Sequence, residues 1–174
     1  MSNREMARGS VWRQWDLHVH TPASFHWTGK KFEGDLSSPE NRALIDEMIK
    51  AMNDAEPAAF AIMDYWTFDG WFALKNRLAE AGAPVLKKTV FPGIELRLSA
   101  PTIKRLNAHV IFAETIPDHH LREFLSDLKL ERNDRSVSKE SLIDLARATA
   151  DDMLIKKGHK TVGAFPGQGH DASL

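Results

Sequence analysis

The 174-residue sequence contains no cysteine. Disulfide staples, thiolate catalysis and thiolate-held zinc are therefore excluded, and any metal has to be held by His, Asp or Glu. No apolar run approaches the ~20 residues needed to span a bilayer, and the mean hydropathy is -0.37; no membrane association is expected. Neither sign of charge dominates, with 23 Lys+Arg against 24 Asp+Glu, so there is no global positive field to draw in nucleic acid. The first ten residues, Met1 to Ser10, are polar and lack the apolar core of a secretory signal, which leaves the cytoplasm as the expected location. Internal repeats, low-complexity tracts and a Gly-x-x-x-x-Gly-Lys-Ser/Thr phosphate loop are also missing.

What is present is the composition of one folded domain: 43% apolar and 27% charged residues. Residues 1–10 read as a flexible N-terminus and 11–174 as the domain. Strand-like and helix-like segments alternate, the pattern of an α/β layout with a parallel sheet. Strands are expected over Val11–His20, Ala58–Met63, Lys88–Leu98 (broken at Pro92-Gly93) and Arg105–Ala113. A last one is expected over Lys160–Phe165. Ser38-Pro39-Glu40 starts a helix running to about Asn53, with Ala43, Leu44, Met48 and Met52 on its apolar side. Asp69 caps a second helix ending near Gly82, and Pro117-Asp118 opens a third toward Leu130. Ser136 or Ser138 opens a fourth, with Leu142, Leu145, Ala146 and Met153 at helical spacing.

Three constellations carry chemistry. In Asp16-Leu17-His18-Val19-His20-Thr21, strand alternation places Asp16, His18 and His20 on one face and Trp15, Leu17 and Val19 on the other. Such polar side chains on an apolar strand are costly to bury without a partner, and a cation bound by the imidazoles removes that cost; half-exposed histidines on an edge strand are the alternative. Asp64 directly follows the apolar run Ala61-Ile62-Met63, at the strand end where α/β folds collect chemistry, or else it caps the next turn. Tyr65 and Trp66 are either core or the wall of a cleft. Glu95 and His109 lie among aliphatic neighbours in successive strands. Glu95 needs a cation or hydrogen-bond donors there, and Arg97 on its own face offers an ion pair instead. For His109 a hydrogen-bonded core position is the alternative.

Read together, Asp16-Leu17-His18-Val19-His20-Thr21, Met63-Asp64-Tyr65, Gly93-Ile94-Glu95 and His109-Val110-Ile111 resemble the first three motifs of the PHP (polymerase and histidinol phosphatase) family. Trp15 through Ser24, Asp64-Tyr65-Trp66 and Glu95-Leu96-Arg97-Leu98 are most similar to the subgroup that places a PHP domain ahead of a large AAA/SMC-like ATPase, the TrlF-type proteins. The resemblance covers about residues 11–113.

It implies a distorted, TIM-like (β/α)7 barrel with mainly parallel strands, and a cluster of divalent metals (Zn, Mn or Fe) at the C-terminal mouth. His18 and His20 would bind a first metal, Glu95 would bridge to a second, and His109 would bind the second. His26 stands where many members place a ligand of a third. Where the family has Asp-His this chain has Asp64-Tyr65, and neutral tyrosine is a poor ligand, which weighs against that third metal. The family's later motifs are not found, and His159 and His170 match none of them. The 174 residues are also few for a βα barrel of about 200–250, so a partial barrel over 11–174, the N-terminal part of a longer protein, is expected. The implied activity is metal-dependent hydrolysis of phosphate esters or nucleic-acid phosphodiesters. Glu95 and Asp64 would act in catalysis, Asp16 would orient an imidazole, and Arg97 or Lys30 would meet phosphate charge. An ATPase domain is the implied partner, and an exposed sheet edge permits association. The competing reading is an inactive metal-binding or structural module docked on an ATPase.

Overall fold

The computed structural model describes residues 12–98, 106–131 and 134–147. The expected strand Lys160–Phe165, Met153, His159, His170 and residues 1–10 lie outside the described residues, as does the side chain of Ala146. The elements are β1 (Trp15–Val19), α1 (Pro39–Asp54), β2 (Ala59–Tyr65), α2 (Asp69–Ala79), β3 (Thr89–Leu98), β4 (Leu106–Ile111), α3 (Asp118–Asp127) and α4 (Lys139–Arg147). The four strands form one curled sheet in the order β1-β2-β3-β4. β1, β2 and β3 run parallel. β4 returns antiparallel to β3, the one reversal in the described sheet, which is mostly parallel as expected. Its cause is length: only residues 99–105 join the two strands, and a parallel crossover needs a dozen or more.

Local chemistry explains most boundaries. Ser38 caps α1, its side chain accepting from Asn41 N at 3.3 Å, with Pro39 at the first helical position. The buried stripe of α1 is Ile45, Met48, Ile49 and Met52; Ala43 is exposed and Leu44 half-buried, so the apolar face is turned from the expected one. Asp69 lies in the first turn of α2 and Phe68 is the cap. α2 stops at Ala79, before the left-handed Gly82 (φ 78°). Ser138 opens α4, accepting from Ser141 N at 3.1 Å.

β3 continues through Pro92-Gly93 instead of breaking there. Pro92 lies at the end of the β3–β4 ladder, where its carbonyl accepts from Phe112 N just beyond β4 (2.9 Å). One missing donor is tolerated at that rung. Gly93 is held between strands: a Cβ would lie 2.8 Å from Ile62 O and 3.0 Å from Val110 O.

One sheet face packs on the helices through Phe60, Ile62, Val90, Ile94 and Leu96 against Ile45, Ile49, Leu74 and Leu121. A second cluster gathers Tyr65, Trp66, Leu130, Val137, Leu142 and Leu145. Trp66 adopts a left-handed conformation (φ 63°), turning the chain sharply after β2. β1 and β4 are the outer strands of the described sheet, and Trp15, Leu106 and Ile111 on them are exposed. Among the described residues, no helix is long and apolar enough to cross a membrane.

Candidate metal centre

β2 and β3 run in register, Met63 opposite Gly93 and Tyr65 opposite Glu95, and β4 sets His109 opposite Glu95 and Asn107 opposite Arg97. Tyr65, Glu95, His109, Asn107 and Arg97 therefore share the face turned away from α1, α2 and α3. β1 joins them through an irregularity. Its partners are Trp15↔Ala59 and Asp16↔Phe60, then Val19↔Ile62, so three steps on β1 match two on β2. This extra residue is a β-bulge, and it reverses the alternation. Asp16 and Val19 now share the helix-facing side, and Val19 packs on that core. His18 and His20 take the other side with Trp15, whose ring centroid is 6.1 Å from that of Phe91.

The expected grouping of Asp16 with the two histidines is thus corrected. Asp16 is exposed and accepts from the backbone N–H of His18 at 3.2 Å, not from a ring.

His18, Glu95 and His109 each offer a ligand atom, all within 4.8 Å of one another. His18 Nε2 is 3.0 Å and His20 Nε2 3.9 Å from Glu95 Oε2, and His109 Nε2 is 3.7 Å from Oε1. The His18 and His109 ring centroids lie 4.4 Å apart, edge to face. The Glu95 side chain is 3% exposed, while His18 and His109 are about two-fifths open. The carboxylate is thus the floor of the cluster and the imidazoles its rim. Burial and the neighbouring His18 hold His20 below its ordinary value, against the pull of Glu95.

Two partners of Glu95 were not legible from residue type. Tyr65 donates its phenol to Oε1, and Asn107 Nδ2 donates to the same oxygen at 2.8 Å. Both follow from register: Tyr65 is the β2 neighbour of Glu95, and Asn107 shares the face of His109 two positions away. Burial and then the bond to Glu95 push the Tyr65 hydroxyl up to about 12, and it stands as a neutral donor to Oε1. The Arg97 guanidinium lies 5.5 Å from the Tyr65 ring centroid.

Asp64 is fully buried, and Thr21 holds both its oxygens: the backbone N–H reaches Oδ1 at 2.8 Å and the hydroxyl reaches Oδ2 at 2.6 Å. Its link to the cluster is His20 Nδ1 at 3.9 Å. Burial pushes its carboxyl up to about 6, with the Thr21 bonds opposing. Ser24 Oγ lies 3.3 Å from His20 Nδ1 on the loop that Thr21 anchors. His26 is exposed and reaches the centre by ring contact, 5.5 Å from His20 and 5.1 Å from Tyr65. Lys30 is exposed. A second group of possible ligands, His119, His120 and Glu123, is exposed on α3.

The imidazoles of His18 and His109 and the buried Glu95 carboxylate fit a divalent cation, with His20 next to them. Arms of about 2.0–2.2 Å in a tetrahedral site set neighbouring ligand atoms roughly 3.4 Å apart; the contacts to Oε2 of 3.0 Å from His18 and 3.9 Å from His20 bracket that edge, and His109 lies 3.7 Å from Oε1. Imidazole with carboxylate suits Zn and Fe, and carboxylate suits Mn. Comparisons with family models, curated proteins and solved structures gave no match.

Proposed function

We propose that this chain is a metal-dependent phosphoesterase of the PHP type, acting on phosphate esters or nucleic-acid phosphodiesters. The observation that supports it is the meeting of His18, His20 and His109, from both ends of the sheet order, on the buried carboxylate of Glu95. The curled, mostly parallel sheet suits a partial barrel. The link to an AAA/SMC-like ATPase domain rests on the motif resemblance alone.

His18, His20, Glu95 and His109 would hold the cation. When bound, it supplies charge stabilisation at the phosphoryl oxygens and a water of lowered pKa. Glu95 contributes the negative charge that retains it, and Tyr65 and Asn107 fix that carboxylate in place. Thr21 and Asp64 fix the chain just past β1 and so the aim of His20. Arg97, beside Tyr65, sets positive charge at the edge of the centre, where a phosphate's negative charge is complemented.

A second reading, metal binding without turnover, is favoured by Asp64. Both of its oxygens are engaged by Thr21 and it is closed to solvent, so it is placed to position residues and not to move a substrate proton.

Hydrolysis of a chromogenic phosphodiester by the metal-stripped chain, with and without added manganese, decides between them. The phosphoesterase reading expects manganese-dependent turnover that Glu95→Gln abolishes. Metal binding with no turnover above the Glu95→Gln level selects the second reading.

A further inference from the structure

The two oxygens of Glu95 stand in unequal surroundings. Oε1 accepts from the Tyr65 hydroxyl and from Asn107 Nδ2. A carboxylate oxygen offers about two lone-pair sites, so the chain itself fills Oε1. Oε2 faces His18 Nε2 at 3.0 Å and His20 Nε2 at 3.9 Å.

We propose that Tyr65 and Asn107 restrict this centre to a single divalent cation, seated at Glu95 Oε2, by occupying the oxygen that a second cation would need. The proposal rests on the reading that the centre binds metal. In a two-cation site the ions sit about 3.5–4 Å apart, and a bridging carboxylate gives one oxygen to each. Here Oε1 could serve a second ion only by shedding both donors. The Tyr65 side chain is buried, so its hydroxyl would be left without an acceptor, an unfavourable state for a buried polar group. The ring is also hemmed in by Phe25 at 4.7 Å and Arg97 at 5.5 Å, which opposes its swinging away. His109 Nε2 is 3.7 Å from Oε1, but its ligand atom also lies within 4.8 Å of those of His18 and Glu95, so it would join the same ion instead of founding a second position. Tyr65 and Asn107 are therefore positioning residues that set metal count.

The test is a cobalt(II) titration of the untagged, metal-stripped full chain, counted by equilibrium dialysis and followed by visible absorption. His119→Ala/His120→Ala is included throughout to silence the cluster on α3. The proposal expects one cobalt per chain in this background. It expects a second, with a new absorption component, in Tyr65→Phe/Asn107→Ala. Asn107 is exposed, so Asn107→Ala alone serves should the double variant fail to fold, and its second-cobalt affinity should rise at least threefold. Two cobalts in the parent background, or no gain in the variants, overturns the proposal and leaves the metal reading standing. No cobalt in the parent background overturns both.

Discussion

Thr21 closes on Asp64 through its backbone N–H and its hydroxyl together, at 2.8 Å to Oδ1 and 2.6 Å to Oδ2. Both residues are fully buried. This pair ties the segment after β1 to the C-terminal end of β2 and so fixes His20, which lies between β1 and Thr21. Thr21→Val keeps the shape and removes one donor to a buried carboxyl. Hydrogen bonds to charged groups contribute about 1.5–3 kcal/mol, so urea unfolding should show a loss of that order. A loss under half a kcal/mol would mean the pair is not a structural anchor.

Gly70 packs against the same pair. A Cβ there would lie 2.1 Å from Thr21 Oγ1 and 2.3 Å from Asp64 Oδ2. Helix propensity alone favours Ala over Gly by about 1 kcal/mol. Because those two side chains are locked to each other, the clash should outweigh that gain. Gly70→Ala is expected to lower the melting temperature and weaken metal affinity through His20, and a raised melting temperature would show that the pair yields easily.

Gly93→Ala should be worse. Its Cβ would meet backbone, Ile62 O at 2.8 Å and Val110 O at 3.0 Å, and no rotamer change relieves that. The expected result is parting of β3 from its neighbours, read as low soluble yield or loss of cooperative unfolding. Wild-type stability would contradict the tight strand spacing.

Asp64 also makes stability depend on pH. Its folded value of about 6 exceeds the ordinary 3.8, so the folded chain binds this proton more readily than the unfolded one. The contribution is fully present below about pH 4 and is lost as pH rises through about 6. His20, lowered by burial and His18, acts oppositely, losing stability as pH falls below its ordinary value. Comparison with Asp64→Asn isolates the carboxyl. Asn keeps both contacts, accepting from Thr21 N–H and donating to the Thr21 hydroxyl. In EDTA, wild type should gain about 1.4 kcal/mol on Asp64→Asn between pH 7 and pH 5, by one unit's worth of linkage. Parallel stability curves would place the Asp64 value near the ordinary one.

Much of the centre is legible in the sequence because strand ends carry it. His18, Glu95 and His109 each stand in short apolar strands, and period-2 alternation points them inward once the strands pair. The face of Asp16 was not legible. A bulge between Asp16 and Val19 leaves no composition signal, and one extra residue exchanges the faces. The direction of β4 was hidden less deeply, since the short 99–105 connection already forbids a parallel crossover. Tyr65 and Asn107 escaped because their tie to Glu95 depends on cross-strand register, which residue types alone do not set. For α1, Ile45, Met48, Ile49 and Met52 share one stripe at i, i+3, i+4 and i+7 and take the core, while Ala43 and Leu44 fall off that stripe.

Cation binding should stabilise the fold by mass action. At a cation concentration 100 times its dissociation constant the gain is about 2.7 kcal/mol. Zinc or manganese should therefore raise the melting temperature of wild type, EDTA should reverse the shift, and His18→Ala should abolish it. An equal shift in His18→Ala would assign the effect to other ligands, such as those on α3.

The most direct measurement is the metal content of the untagged chain after dialysis against zinc or manganese and removal of free ion. Wild type, and the His119→Ala/His120→Ala variant with it, should retain about one cation per chain. Glu95→Gln and His18→Ala/His109→Ala should retain almost none while keeping the circular dichroism of wild type. Metal-free wild type, or equal metal in wild type and the folded Glu95→Gln chain, would contradict a cation centre at Glu95.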